Sequence, residues 1–230
     1  QVNTMHLSVI IPALNEGSQI GRTLRSLEPF RARGAEVIVI DGGSVDDTLA
    51  IATSFADSVL RTARGRALQM NAGAGAARGG ILLFLHADCI PPPEADMLVL
   101  QRLGPKGWGR FDVSLAGTHP MFRMIERLMN LRSRLTGIAT GDQGIFVRRE
   151  LFFAVGGYPN IPLMEDLALS KRLKRTGRPL CVQDKIISSS RRWEEQGIIR
   201  TVLLMWRLRL AYFFGAEPGR LAKIYDRRKG

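Results

Sequence analysis

Four short apolar runs, at residues 7–12, 36–40, 58–61 and 81–85, are separated by segments whose apolar residues recur at helical spacing, and this alternation constrains the fold more than any other feature. Leu7-Ser8-Val9-Ile10-Ile11-Pro12 is β-branched and stopped by proline, as a buried strand is. Ile20, Leu24, Leu27 and Phe30 then mark one face of a helix that ends before Gly34. Asp46-Asp47-Thr48 opens a second helix, with Ile51 and Phe55 facing inward and the acidic side chains near the positive end of its dipole. Residues 65–77 read as a helix rich in small side chains, and Ile81-Leu82-Leu83-Phe84-Leu85 as the most apolar strand. Strand–helix–strand repetition implies right-handed crossovers and a mainly parallel sheet, an α/β class of fold.

The pattern changes after Pro91-Pro92-Pro93. Residues 108–115 and 145–149 read as strands and 121–135 as a helix, so the second half is mixed, and 104–107 is a loop. We expect one domain over 1–230, with a ligand-binding half at 7–103, an acceptor-side half at 104–195 and a basic helical segment at 196–230. Apolar residues at 45% and charged residues at 23% exclude a disordered chain. Cys89 and Cys181 lie far apart with no CxxC pair, which predicts two free thiols. Residues 1–6 carry no basic stretch followed by an apolar core, so the expectation is a cytoplasmic protein, at most peripheral at the inner face of a membrane.

The formal charge of +12 is concentrated at the C-terminus, where residues 198–230 hold eight basic and two acidic side chains. A basic surface suits nucleic acid, anionic lipid or phosphorylated substrates. No nucleic-acid motif accompanies it, which excludes the first. The apolar stretch 198–214 contains Arg200, Arg207 and Arg209 and is too charged to span a bilayer. Packing on the domain or in a homo-oligomer is the first reading, and a peripheral membrane surface the second.

In open parallel sheets, ligands bind beyond the carboxyl ends of the strands, and the unusual polar residues fall there. Asn15 and Glu16 follow the first strand, Asp41 and Ser44 the second, His86 and Asp88 the fourth. Asp41-Gly42-Gly43-Ser44 is a tight turn that also lets a ligand approach the backbone. His86 and Asp88, alternate residues of a strand end, can face one cation, or simply form a polar strand end beside the proline turn that follows. Glu165 and Asp166 precede an apolar-periodic helix, where capping and proton abstraction are both chemically open. Gly141-Asp142-Gln143-Gly144 reads as a turn, either a plain one or one whose polar side chains face an acceptor. Ser190-Arg191-Arg192-Trp193 combines guanidinium groups with an aromatic plane suited to phosphate and sugar, or forms an exposed basic loop. Gly73-Ala74-Gly75 lacks the ending of a phosphate loop, and helix packing explains it better.

Together, residues 8–16, 39–44, 46–48, His86-Ala87-Asp88 and Glu165-Asp166 resemble glycosyltransferase family 2 in content and order. Gly65-Arg66-Ala67, residues 141–144 and 190–193 look like a compact bacterial subgroup associated with radical-SAM and selenium-related genes. The resemblance implies a GT-A fold, a nucleotide-diphospho-sugar donor (UDP-sugar favoured), a divalent metal (Mn2+ or Mg2+) and inversion. It places Pro12, Asn15, Glu16, Asp41, Ser44, Arg66, Ala87, Arg191 and Arg192 around the donor and Asp88 on the metal. Asp166 becomes the catalytic base, and Gly141, Asp142, Gln143, Glu165 and Trp193 face an acceptor that the sequence does not identify. The family's Asp-x-Asp reads His86-Ala87-Asp88 here, so His86 becomes the second metal ligand candidate. A nucleotidyltransferase of related fold and a non-catalytic nucleotide-sugar-binding or membrane-docking protein are the competing readings.

Overall fold

The computed structural model describes residues 6–104 and 107–226. The N-terminal segment 1–5, the middle of the 104–107 loop and the last basic residues, 227–230, lie outside the described residues. Among the described residues eight strands form one sheet in the order β3-β2-β1-β4-β7-β6-β8-β5. They are β1 (Leu7–Ala13), β2 (Glu36–Asp41), β3 (Ser58–Arg61), β4 (Ile81–Phe84), β5 (Cys89–Ile90), β6 (Trp108–Leu115), β7 (Ile145–Arg148) and β8 (Leu180–Ser188).

The helices are α1 (Gly17–Ser26), α2 (Glu28–Ala32), α3 (Thr48–Phe55), α4 (Arg66–Ala76), α5 (Ala95–Arg102), α6 (Pro120–Thr136), α7 (Arg149–Ala154), α8 (Glu165–Lys174), α9 (Arg191–Gln196), α10 (Ile198–Phe213) and α11 (Pro218–Asp226), with a 3-10 turn at Gly141–Gln143. The segment expected as one helix through Phe30 is two, because Leu27 leaves the helical register and Pro29 starts a new turn at α2. Residues 190–193 are not a loop: α9 begins at Arg191.

Strands β1 to β4 run parallel, and β1, β2 and β4 are buried on both faces, which is why they read as near-continuous apolar runs. Val9, Ile11, Val37 and Leu83 pack on one face under Ile20 and Leu24 of α1, Phe30 of α2 and Val99 of α5. Ile10, Ile38, Ile40 and Leu82 pack on the other under Met70 and Ala74 of α4, Phe152 of α7 and Leu169 of α8. Gly73 belongs to this second contact: a Cβ there would fall 2.5 Å from both Ile10 and Ile40, so only glycine lets α4 lie this close.

Strand β7 pairs antiparallel with β4 and β6, and β5 antiparallel with β8. Two registers of these pairings bring distant loops together. Phe84 of β4 faces Ile145 of β7, so the turn just before β7 meets the loop just after β4. Cys89 of β5 faces Ser188 of β8, so the chain leaving β8 crosses the same loop.

Candidate active site

Strand order reverses at β1, which has β2 on one side and β4 on the other. The loops after these three strands therefore open a crevice at a topological switch point. The first loop is built by cross-ties. Asn15 takes a left-handed φ of 53°, a conformation asparagine tolerates better than most residues. Its backbone N–H donates to Ser44 Oγ at 2.9 Å, and its Oδ1 accepts from Val45 N at 2.9 Å. Glu16 N donates to Thr48 Oγ1 and Gly17 N to Asp46, so the end of β1 is laced to the turn after β2. Asp41 is fully buried and accepts from the backbone N–H groups of Gly43 and Ser44, which holds the turn open above it. Gln69 of α4 donates to Ala13 O and Ile40 O at 2.8 Å and closes the floor.

The second loop differs in detail from what the sequence predicts. Strand β4 stops at Phe84, so His86 and Asp88 sit in the turn beyond it and not on a strand face. His86 Nδ1 lies 3.2 Å from Asp142 Oδ1, brought there by the β4–β7 register. Asp142, expected on the acceptor side, thus joins the His86 side of the crevice. Burial opposes its charge, yet the hydrogen bond and charge of His86, with Arg66 and Arg192 beyond, hold its carboxyl down to about 2. Gly141 lies under the imidazole ring so closely that any Cβ would displace it.

Asp166, the second residue of α8, reaches the same turn. Its Oδ2 accepts from Gly141 N at 2.9 Å and its Oδ1 from Leu167 N at 2.7 Å. Neighbouring Glu165 is buried and pairs with Arg66 Nη1 at 3.2 Å, and burial raises its pKa. Met164, at the helix start, holds a left-handed φ of 69°, a strained conformation for this residue type and typical of a backbone that must aim side chains.

The crossing of β8 delivers the cations. Arg191 Nη2 lies 3.4 Å from Glu16 Oε2, and Arg191 Nη1 donates to Ser18 Oγ. Burial and the charge of Asp88 raise Glu16 against the opposing pull of Arg191. Arg192 stacks over the Tyr225 ring at 4.9 Å, and its charge acts on Arg66, Asp142, Asp88 and Glu16. Trp193 is drawn elsewhere: it packs with Phe122 and Ile125 of α6. Asp41 stands apart from the charged group, at the β2 edge of the crevice, and its nearest ion pair is Arg61 at 3.9 Å. Pro12 and Ala87 contribute backbone and packing, Ala87 O accepting from Thr23 Oγ1.

Cys89 is the site residue that motif reasoning passes over. Its Sγ, a nitrogen of His86 and an oxygen of Asp142 all lie within 4.8 Å of one another. Burial, then the charges of Asp88 and Asp142, push the thiol well up, so it stays protonated near neutrality. The other two donors of this group are an imidazole nitrogen and a carboxylate oxygen, both of which ligate divalent cations. Both cysteines are free.

A parallel α/β half-sheet extended by a mixed second half, with acidic and arginine residues on the loops and helix starts at its switch point, is the architecture of GT-A fold transferases. The chain belongs to glycosyl transferase family 2, whose sequence profile matches residues 8–148. It is 34% identical to a Mycobacterium bovis PGL/p-HBAD biosynthesis glycosyltransferase over 168 aligned residues, covering 66% of this chain and 62% of the relative. The chain therefore spans less than two thirds of the length of that relative. S. aureus TarS in complex with UDP-GlcNAc superposes with a TM-score of 0.67 at 19% identity, covering 80% of this chain and 58% of that one. A Pyrobaculum calidifontis mannosyltransferase in complex with GDP-Man and Mn2+ superposes with a TM-score of 0.66 at 21% identity, covering 90% and 61%. Among the described residues no helix is long and apolar enough to cross a membrane.

Proposed function

We propose that this protein transfers a sugar from a nucleotide-diphospho-sugar, with a UDP-sugar favoured, to an acceptor hydroxyl with inversion at the sugar carbon. The observation that carries the reading is the turn at Gly141–Gln143: Asp142 pairs with His86 on one side, and Gly141 ties down Asp166 on the other. One rigid turn thus couples the anion-handling side of the crevice to a carboxylate able to act as base. Asn15, Ser44 and Asp41 line the end suited to a nucleoside, and Arg66, Arg191 and Arg192 offer guanidinium donors to phosphate oxygens. Each Asp166 oxygen spends one lone pair on a backbone N–H, and the remaining capacity accepts the proton of an incoming hydroxyl. That proton transfer contributes typically ~10²–10⁴-fold in rate, and positioning by the surrounding loops adds more.

In this reading Asp88 and His86 would hold a divalent cation, and Asp142, whose carboxylate lies 3.2 Å from His86 Nδ1, is a further candidate ligand. When bound, such an ion supplies Lewis-acid neutralisation of a departing diphosphate. The glycosyltransferase role of the mycobacterial relative and the sugar-nucleotide complexes of the structural neighbours support the donor class.

Incubation with UDP- and GDP-sugars and Mn2+ tests the reading. Slow release of nucleoside diphosphate that depends on Asp166 supports it. Pyrophosphate exchange would instead indicate a nucleotidyltransferase, and tight binding without turnover a non-catalytic receptor.

A further inference from the structure

Helices α6 and α10 each carry an exposed apolar stripe. At about 100° per residue, Ile199, Leu203, Trp206, Leu210 and Phe213 fall within one arc of α10, and they are 60% to 75% exposed. On α6, Met124, Leu128, Leu131 and Leu135 repeat the pattern at 50% to 68% exposure. The helices are neighbours, since Ile198 and Val202 of α10 pack against Phe122 and Ile125 of α6. Each helix keeps its remaining apolar side chains for the protein, Leu204 and Leu208 of α10 lying in a buried cluster with Leu163 and Leu167.

The charges that the two helices themselves expose beside the stripes have one sign. Glu126 is the only acidic residue of α6 and is buried against Arg123, and α10 has none. Arg127, Arg200 and Arg207 are exposed and make no ion pair among the described residues. In the seam between the helices, Arg132 of α6 lies near Arg209 of α10; burial, then the charge of Arg209, lowers Arg132 to about 10 against the opposing charge of Asp166. Nε and Nη2 of Arg132 and Nε of Arg209 are buried without a hydrogen-bond partner, a costly arrangement in the absence of an anion.

We propose that the face formed by α6 and α10 docks on an anionic phospholipid surface, its apolar stripes entering the acyl boundary and Arg132 and Arg209 receiving a lipid phosphate. A second copy of the chain fits poorly. Two-fold pairing would set this patch against itself, arginine against arginine, with no carboxylate exposed on either helix to compensate. Apolar stripes flanked by arginines, with an aromatic ring at the level of the charges, are what an interfacial helix presents to lipid. The inference stands apart from the transfer reaction and does not require it.

The test is sedimentation of the protein with phosphatidylcholine vesicles with and without 30 mol% phosphatidylglycerol, alongside Trp206 fluorescence, at low and high salt. Binding to the anionic vesicles only, weakened by salt and accompanied by a blue shift, is the expected result. Trp206→Phe removes most of the shift while sedimentation persists. Arg200→Ser with Arg207→Ser weakens partitioning by about 25-fold, and Arg132→Gln by about fivefold. The exposed pair carries the test should the half-buried Arg132 prove needed for folding. Equal binding to neutral vesicles, binding abolished by free inorganic phosphate at matched ionic strength, no binding at all, or a dimer that Trp206→Ser dissolves would each overturn the proposal.

Discussion

The carboxylate of Asp166 accepts the backbone N–H of Gly141 at 2.9 Å, a bond between the start of α8 and the turn before β7. It sets the position of the proposed base and leaves lone pairs on both oxygens for an incoming hydroxyl. In Asp166→Asn the side chain can keep one of its two backbone donors, while its amide NH2 opposes the other N–H. We expect sugar transfer to fall by at least ~10²-fold and Tm to drop modestly, with donor affinity near wild type. Isothermal titration with UDP and a product assay on the same sample check this, and wild-type turnover in the variant would remove Asp166 from the role.

Gly141→Ala tests the same turn from below. The new Cβ would occupy the space of the His86 imidazole, so His86 must rotate away and its contact with Asp142 at 3.2 Å opens. Overpacking of this kind costs about 1–3 kcal/mol, and the loss should show in both Tm and donor binding. Gly75→Ala is the control, because nothing lies within 4 Å of a Cβ there and a helix favours alanine. Equal behaviour of the two variants would mean the ring is not held as described.

Cation binding is predicted to depend on the loop after β4. Titrating Mn2+ against the protein with UDP, followed by EPR of free Mn2+, should reveal a site weakened by His86→Ala and by Asp88→Asn. Cys89→Ser should leave it unchanged, since Mn2+ favours carboxylate and other oxygen ligands over a soft sulfur. Undiminished Mn2+ binding in both loop variants would place the ion elsewhere.

Much of this architecture is legible in the sequence, and the remainder has identifiable physical reasons. Strands β1, β2 and β4 are buried on both faces, so their apolar runs stand out, and the polar residues that end them mark the crevice. Strand β8 is hidden because Asp184 and Lys185 interrupt it where the pairing with β6 shifts register between Phe111 and Asp112. Strand β5 has two residues and no pattern to read. The meeting of Asp142 with His86 depends on the antiparallel β4–β7 register, a contact between distant segments that local spacing does not encode. The Arg132–Arg209 seam is hidden for the same reason. Cys89 is readable as a free thiol but not as a neighbour of His86, because its place depends on pairing with β8.

Glu36 offers a pH test away from the crevice. Its Oε2 accepts from Ser8 Oγ at 2.6 Å and from Arg78 N at 3.0 Å, and its Oε1 accepts from Arg78 Nε at 2.9 Å. Ser8 Oγ in turn accepts from Gly79 N, so one carboxylate ties β1 and β2 to the chain entering β4. Burial opposes the charge, but the hydrogen bonds of Arg78 and Ser8 and the charge of Arg78 outweigh it and lower the pKa from 4.5. A carboxylate depressed in the folded state stabilises the fold above its unfolded pKa, and that contribution is lost as pH falls through the folded value. Glu36→Gln should therefore cost on the order of 1–2 kcal/mol at neutral pH, as loss of charge-assisted bonds does. The gap to wild type should begin to close below about pH 4.5 and vanish in stronger acid. Urea unfolding of both proteins across that range measures it, and a gap independent of pH would show that the hydrogen-bond geometry, and not the charge, does the stabilising.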